Sequence, residues 1–356
     1  MAKCKLTMRD ISRASGLSMF TVSRALSGAA GVSEASRLQI RKIAQEIGYV
    51  PNRAAQELRG VSRGQIALIT AGTANAYYLD LMLGIQQTTR AQGQEVVLMD
   101  IALNGAYDAA LEDRVIQRLL EARMAGVITT LTLKPESIDL LTAWDIPIVF
   151  VDASPPLQAP HLPSVTTDNY AASLLVGEHM SWHGYRNWLF IVYPERWSSR
   201  LDRERGLRDA AAKHGATLIV LESDNDAASA HRVLGRFLDD AVNRPDALIA
   251  GNNPLLLGSM KLLRERDVEV PRDMGLVSYD EFAWASLIDP PLTVLNERSE
   301  EIGRIAAETL ISIITEQTES VRRGGHSAPD YKTAHQLQVP VDLVIRRSCG
   351  CPSSHG

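Results

Sequence analysis

From Gln65 onward the chain repeats one alternation, a short continuous apolar run followed by an amphipathic stretch of helical length. The runs are Ile66–Ile69, Val96–Met99, Gly126–Ile128 and Pro147–Val151, with helical stretches between them that end near Gln92, Ala122 and Trp144. Strands that are apolar without alternation are buried on both faces, and helices inserted between them make the crossovers of a parallel sheet. A second series follows. Helices are expected at Asn169–His183, Arg203–His214, 227–238 and 255–266, with strands at Trp188–Val192, Leu218–Leu221, Ala247–Ala250 and Leu276–Tyr279. Two doubly wound α/β lobes accommodate these elements better than one very wide sheet. Glu319 to Tyr331 is polar and contains glycine, so it reads as a loop.

The first sixty residues have a different texture. Met8 to Ser15 places Met8, Ile11 and Ala14 at helical spacing and is stopped by Gly16. Ser18 is placed to cap a second helix, Met19 to about Leu26, with Val22 and Ala25 or Leu26 inside. Ser33 caps a third, with Leu38, Ile40, Ile43, Ala44 and Ile47 as its apolar positions and Gly48 after it. A tight turn around Gly16 between two short helices is the spacing of a helix-turn-helix. Residues 1–60 also carry ten Lys or Arg against four Asp or Glu, a balance of +6, which leaves −11 for the rest of a chain whose net charge is −5. A basic module on an acidic body is the footprint of a protein that meets a polyanion at one end.

In a helix-turn-helix the second helix enters the major groove. Its start here is Met19-Phe20-Thr21, with Ser23 and Arg24 further along. Arg24 suits a guanine edge, and Met19 and Phe20 suit thymine methyls. Thr7, Ser18, Thr21, Ser23 and Asn52, with Arg37 and Arg53, suit phosphate contacts that set register. The alternative is an amphipathic hairpin packed in a larger core with Arg24 as a solvated charge. After Pro51, Asn52 can cap a helix from Arg53 to Arg59 before Gly60. Seven residues cannot hold a helix alone, since isolated helices shorter than ~12–15 residues are marginal in water.

Met8-Arg9-Asp10-Ile11, Thr21-Val22-Ser23-Arg24-Ala25-Leu26 and Gly48-Tyr49-Val50-Pro51-Asn52 resemble the headpiece of the lactose-repressor (LacI/GalR) family of bacterial transcriptional regulators. The resemblance continues through Asn52-Arg53-Ala54-Ala55-Gln56-Glu57-Leu58 and, more loosely, through the remainder. It implies an all-α helix-turn-helix headpiece joined to a periplasmic-binding-protein-like (type I) bilobed sensor domain. It also implies a homodimer on a pseudo-palindromic double-stranded operator, with paired hinge helices in the minor groove. Ala55 lies in that hinge, and Leu58 stands where the family's leucine wedges a base step, a known device for kinking DNA. The domain boundaries expected are 1–51 for the headpiece, 52–62 for hinge and linker, 63–346 for the sensor and 347–356 for a tail. Within the sensor, one lobe is expected at 63–163 with 293–325 and the other at 164–292 with 326–346.

Ligands of open parallel sheets bind at the carboxyl ends of strands. That rule selects Asp152, Asn252-Asn253 and Asp280, while Tyr77-Tyr78 follow the first strand and its loop and suit a sugar ring face. By resemblance, these positions line a cleft between lobes, and Arg200 or Arg203 supplies the family's ligand-holding arginine; the spacing before Gly206 leaves that choice open. Strand-end Asp and Asn also commonly cap the next helix, and tyrosine pairs are often core. The effector expected is a sugar, sugar acid or sugar phosphate, and the replacement of an Asn-Asp pair by Asn252-Asn253 favours a less cationic or an acidic one.

An enzyme is not expected. Neither G-x-G-x-x-G nor G-x-x-x-x-G-K-[ST] occurs, no nucleophile, base and orienter stand out together, and no cofactor is implied. A transporter's solute-binding receptor shares the bilobed fold but should carry an export signal and no basic headpiece. With no signal sequence and no apolar run long enough to span a bilayer, the expected location is cytoplasmic and nucleoid-associated, with no membrane partner. Cys349-Gly350-Cys351 can ligate a metal, but no Cys or His cluster adjoins it in sequence, so the expectation is no metal and a flexible, reduced tail. The chain end has no leucine heptad, which fits a dimer rather than a tetramer.

Overall fold

The computed structural model describes residues 7–26, 30–49, 64–70, 75–103, 106–240, 244–326, 328–331 and 336–352. They belong to two compact units, Met1–Gly64 and Gln65–Gly356.

The first unit holds α1 (Met8–Ser15), α2 (Met19–Leu26) and α3 (Glu34–Ile47). Asp10 accepts from both the backbone N and the hydroxyl of Thr7 at 2.8 Å, closing the start of α1. Ser18 Oγ accepts from Thr21 N at 3.1 Å, and Ser33 Oγ from Ser36 N at 3.2 Å. Gly16 and Gly48, at φ 69° and 72°, end α1 and α3 in the left-handed conformation that glycine adopts without penalty. Ile11, Val22, Ala25, Ile40 and Ala44 form the buried centre. Two expected core positions face solvent instead, Ala14 and Leu38. Leu38 stands about 200° around the helix from Ile40, so both cannot point inward.

In the second unit the chain runs β1 (Ile66–Thr70), α4 (Ala76–Ala91), β2 (Val96–Asp100), a hairpin of β3 (Ala102–Leu103) and β4 (Ala106–Tyr107), α5 (Ala109–Glu121), β5 (Gly126–Thr129), α6 (Pro135–Ala143), β6 (Ile148–Val151) and β7 (Ser164–Thr167). It continues with α7 (Asn169–Trp182), β8 (Asn187–Val192), α8 (Ser199–His214), β9 (Thr217–Glu222), α9 (Ala227–Asp240), β10 (Ala247–Ala250), α10 (Asn253–Glu265), β11 (Gly275–Ser278) and β12 (Thr293–Asn296). Last come α11 (Ser299–Arg322), β13 (Gln336–Val339) and β14 (Asp342–Val344). One sheet has the order β13-β7-β6-β5-β1-β2 and is entirely parallel. The other, β14-β12-β11-β10-β8-β9, is parallel except for β14 against β12.

The two lobes exchange the chain at different places from those expected. Residues 164–167 pair with β6 and belong to the first sheet, 293–296 pair with β11 in the second, and 336–339 return to the first. The cause is composition: Ser-Val-Thr-Thr and Gln-Leu-Gln-Val are too polar to read as buried runs. The segment expected as a loop from Glu319 is helical to Arg322, and α8 begins at Ser199 rather than Arg203. The described part of the tail, 347–352, is also not loose. Ser348 and Cys349 are buried, and Ser348 is stitched to the second sheet by Leu276 N to Ser348 O at 2.8 Å, Ser348 Oγ to Leu276 O at 2.7 Å and Thr293 N to Ser348 Oγ at 2.8 Å. No described helix is long and apolar enough to cross a membrane.

α4 and α11 pack together on one face of the first sheet, through Leu81 and Ile85 against Ile302, Ala306 and Leu310. Their backbones touch at two glycines. A Cβ on Gly84 would fall 2.0 Å from the carbonyl oxygen of Glu300, and one on Gly303 would fall 2.1 Å from that of Leu81. Neither backbone can yield locally, so Gly84→Ala should lower the thermal midpoint of the second unit. An overpacking penalty of roughly 3 kcal/mol is expected, and calorimetry will read it.

Candidate functional site

On α2 the residues left outside the three-helix core are those expected to face bases. Phe20 is 69% exposed and Met19 40%, while Val22 and Ala25 of the same helix are buried. Exposed large apolar side chains on a basic module are a contact surface rather than a core. Arg24 lies against the Phe20 ring, 5.2 Å from its centroid, and donates through Nε to the carbonyl of Ala30 at 2.8 Å. To reach a base edge it must swing off that carbonyl. Ser18 and Thr21 bond to each other at 2.8 Å on the exposed start of α2, and Ser23 follows on the same helix. Arg37 is turned inward, donating weakly to Ala25 O at the end of α2, which makes it a helix cap rather than an outward cation. Asn52, Arg53, Ala55 and Leu58 lie outside the described residues.

The second site forms where strand ends of both lobes meet. Arg203, on the buried face of α8, donates Nε to Asn169 Oδ1 at 2.7 Å, Nη1 to Gly251 O at 2.8 Å and Nη2 to Glu297 Oε1. Its guanidinium stands 4.2 Å from the Tyr279 ring centroid. Asp280 follows β11 and reaches across to the other lobe, where Asn75 Nδ2 donates to it at 2.9 Å. Asn253 donates its backbone N to Asp280 at 3.2 Å and its Nδ2 to Asn75 Oδ1 at 3.2 Å. Asn252 caps α10 by accepting from Leu255 N at 3.1 Å and also donates to Asn225 at 2.6 Å, so the capping and site readings of this residue coexist.

Asp152, Tyr77 and Tyr78 enter from the first lobe. The tyrosines occupy the first turn of α4 behind the Asn75 cap, edge to face with centroids 5.3 Å apart. They are part of the buried cluster of that lobe and also line the interlobe space. Asp152 and Asp280 sit at φ 54° and 69°. Asp tolerates this left-handed region better than most residues, and such strain gathers at functional sites. With Tyr193, Trp197 and Asn225 these side chains enclose only about 10 Å³ of free space. A sugar-sized ligand, whose pockets usually start near ~300 Å³, therefore needs the lobes to part. Further out, Arg196 covers the Tyr107 ring and Ser154 N donates to Ser198 Oγ at 2.8 Å, two more contacts between lobes.

Of the two candidate arginines only Arg203 lines this space. Arg200, in the first turn of α8, turns away from this space; it binds Tyr193 O at 3.2 Å and pairs with Glu222 and Glu204. Residues three apart on a helix diverge by about 60°, and the carboxylates beyond β9 claim the first one. Asn75, Asn169, Tyr193, Trp197 and Glu297 were not singled out by sequence. Tyr193 and Glu297 directly follow β8 and β12; the strand-end rule applied to the expected strand Trp188–Val192 would have found Tyr193, and Glu297 needed β12, which the sequence reading lacked.

Three carboxyl groups, Asp152, Asp280 and Glu297, share one buried cation. Burial pushes Asp152 up to about 7, helped by Asp280 and opposed by Arg203 and the Tyr78 hydroxyl. Burial also carries Glu297 well above the usual carboxylate range, against the pull of Arg203 and with Asp280 adding to the rise. Among the described residues, Tyr77 Oη, Asp152 Oδ1 and Trp197 Nε1 are buried at this site without a hydrogen-bond partner. Because the folded pKa of Asp152 lies above the unfolded value of about 3.9, its contribution is complete below pH ~4 and lost as pH rises through about 7. Without effector, urea midpoints should fall across that window, and Asp152→Asn should flatten part of the fall, leaving the share of Glu297. An unchanged slope would contradict this assignment.

The family of periplasmic binding proteins and the sugar binding domain of the LacI family matches residues 63–331, and that of bacterial regulatory proteins of the lacI family matches residues 7–52. The transcriptional regulator DegA of Bacillus subtilis is 25% identical over 97% of this chain and 98% of its own length. The ribose operon repressor of Escherichia coli is 25% identical over 88% of this chain and 94% of its own. The lac repressor dimer, solved bound to operator and the anti-inducer ONPF, superposes with a TM-score of 0.80 at 23% identity, covering 97% of this chain and 99% of that one. With a helix-turn-helix unit ahead of a bilobed sugar-binding fold, the chain belongs to the LacI family of DNA-binding transcriptional regulators.

Proposed function

We propose that this protein is a cytoplasmic, homodimeric repressor that a neutral sugar releases from a pseudo-palindromic operator, the sugar binding between the lobes of the Gln65–Gly356 unit. The observation that carries the ligand class is the charge inventory of the cleft. Arg203 is already committed to Glu297, Asn169 and Gly251, and among the described residues no second cation lines the space for the remaining carboxyl groups. An anionic group brought into this poorly solvated site would find its one lining cation already paired. Sugar acids and sugar phosphates, both expected from sequence, are therefore disfavoured. Vicinal hydroxyls fit, because they donate to carboxylates and accept from Trp197 Nε1 and Tyr77 Oη, and five aromatic rings lie around the site, at Tyr77, Tyr78, Tyr193, Trp197 and Tyr279. A relative named as a ribose operon repressor supports repression as the mode of control.

Signal transfer is assigned to residues 53–59, a segment too short to be helical alone and placed between the reading unit and the sensor. Coupling of this kind is typically ~1–3 kcal/mol, or roughly 5- to 150-fold in operator affinity. Gel shifts on the promoter neighbouring its own gene should show retardation that weakens steeply with salt, as counterion release requires. Neutral sugars, and not their acids or phosphates, should reverse it. Leu58→Ala should bind operator at least ~10-fold more weakly if it wedges a base step. Tyr77→Phe removes only an unpartnered hydroxyl, so stability should hold while effector affinity drops by about 3- to 10-fold. A sugar acid that releases operator where every neutral sugar fails would overturn the ligand class and leave the repressor reading standing.

A further inference from the structure

The buried chain end brings together four side chains that the cleft does not use. His179 and His183 lie one turn apart on α7 and its C-cap, and Cys349 and Cys351 follow β14. One ligand-type atom from each lies within 4.8 Å of all the others. His183 Nε2 is already 3.1 Å from Cys351 Sγ. His179 Nε2 is buried and has no hydrogen-bond partner among the described residues. We propose that His179, His183, Cys349 and Cys351 form a four-ligand zinc site that clamps the C-terminal end of the chain onto α7 in the second lobe.

Each part of the local structure serves that geometry. An i, i+4 pair puts both imidazoles on one face of the helix. Gly350 turns at φ +94°, which brings the two thiols to the same side. A Cβ there would lie 3.3 Å from Tyr185 Oη and 3.4 Å from His183 Nδ1, so the residue between the cysteines is held to glycine by space as well as by φ. Cys349 is fixed by the stitched Ser348 beside it, and the Thr293 hydroxyl donates to its sulfur at 3.1 Å. Such an outer donor stabilises a thiolate ligand and orients it.

Two thiolates and two imidazoles with no open position make a structural zinc set rather than a catalytic one. Zn–S and Zn–N bonds of ~2.3 and ~2.0 Å give tetrahedral edges of about 3.3–3.8 Å, so the widest gap must shorten by about 1 Å. Rotation of the three ligands that are not fully buried, His179, His183 and Cys351, can supply that. Binding displaces one proton from each thiol, so two protons leave for each zinc taken up.

The test uses the full-length protein expressed with zinc, purified under reducing conditions and exchanged into metal-free buffer. Mass spectrometry of metals should find about one zinc per chain. Cys351→Ser and His183→Gln should lose it, and Cys4→Ser should keep it. Chelation should lower the thermal midpoint of the wild type by about 5 °C and leave the two site variants unmoved. Cobalt(II) replacing zinc should give intense visible bands of a tetrahedral site together with thiolate-to-cobalt charge transfer, a reading that needs no variant to fold. A wild type without zinc at micromolar free metal, variants that retain it, a pale octahedral cobalt spectrum, or Cys349 joined to Cys351 as a disulfide in reducing buffer would each overturn the site.

Discussion

The second unit depends on one buried guanidinium. Arg203 rises from α8 and holds, through three separate nitrogens, the start of α7 at Asn169, the end of β10 at Gly251 and the residue after β12 at Glu297. The Tyr279 ring, after β11, lies under it. Four elements of one lobe thus converge on a single side chain. Removing a charge from water costs several kcal/mol, and stranding either member of a buried pair commonly costs 3–5 kcal/mol, so this group must be fully partnered to exist where it does. It is. Its fixed charge lets Asp152, Asp280 and Glu297 be gathered within the same small volume, where burial, against the pull of Arg203, raises Asp152 and Glu297 above the range of exposed carboxyls.

That arrangement explains why the aspartates after β6 and β11 are held at positive φ. An extended residue after a strand continues along the strand, whereas a left-handed one turns its side chain back across the sheet end. The strain, of order 1 kcal/mol for each, is offset by hydrogen bonds that Asp280 receives from Asn75 and from the backbone of Asn253. One carboxylate thereby joins both lobes.

Much of this was legible in the sequence because parallel strands covered on both faces appear as apolar runs. β1, β5, β6, β8, β10 and β11 are buried nearly throughout, and each was found. The rule that ligands sit past strand ends then located Asp152, Asn252 and Asp280 without a structure. What failed was whatever depended on polar strands. β7 and β13 decide which lobe each segment joins, and their Thr, Ser and Gln residues hide them. Losing β12 as a strand also hid Glu297, the partner on which Arg203 relies. Arg200 and Arg203 could not be separated by spacing, since the choice is made by Glu222 at the far end of β9. The histidine and cysteine pairs are separated by more than 160 residues, and bonds made by Ser348 to the sheet and by Tyr185 to Cys349 O bring them together.

On the proposed reading, the geometry of the cleft also limits how a ligand can act. Asn75, Asn253 and Asp280 are already bonded to one another across the lobes, and about 10 Å³ remains between the side chains. A sugar must replace those bonds before it gains any of its own, so its net affinity is a difference between similar terms rather than a sum of contacts. A ligand shifts a conformational equilibrium only by its differential affinity for the two states. Here the difference lies in lobe separation, because the ring must be accommodated where side chains now touch. The outer contacts, Arg196 on Tyr107 and Ser154 with Ser198, resist the same opening without touching the enclosed space. They therefore set how far the equilibrium must be moved, while Arg203 and the carboxyls around it set how strongly a given sugar can move it.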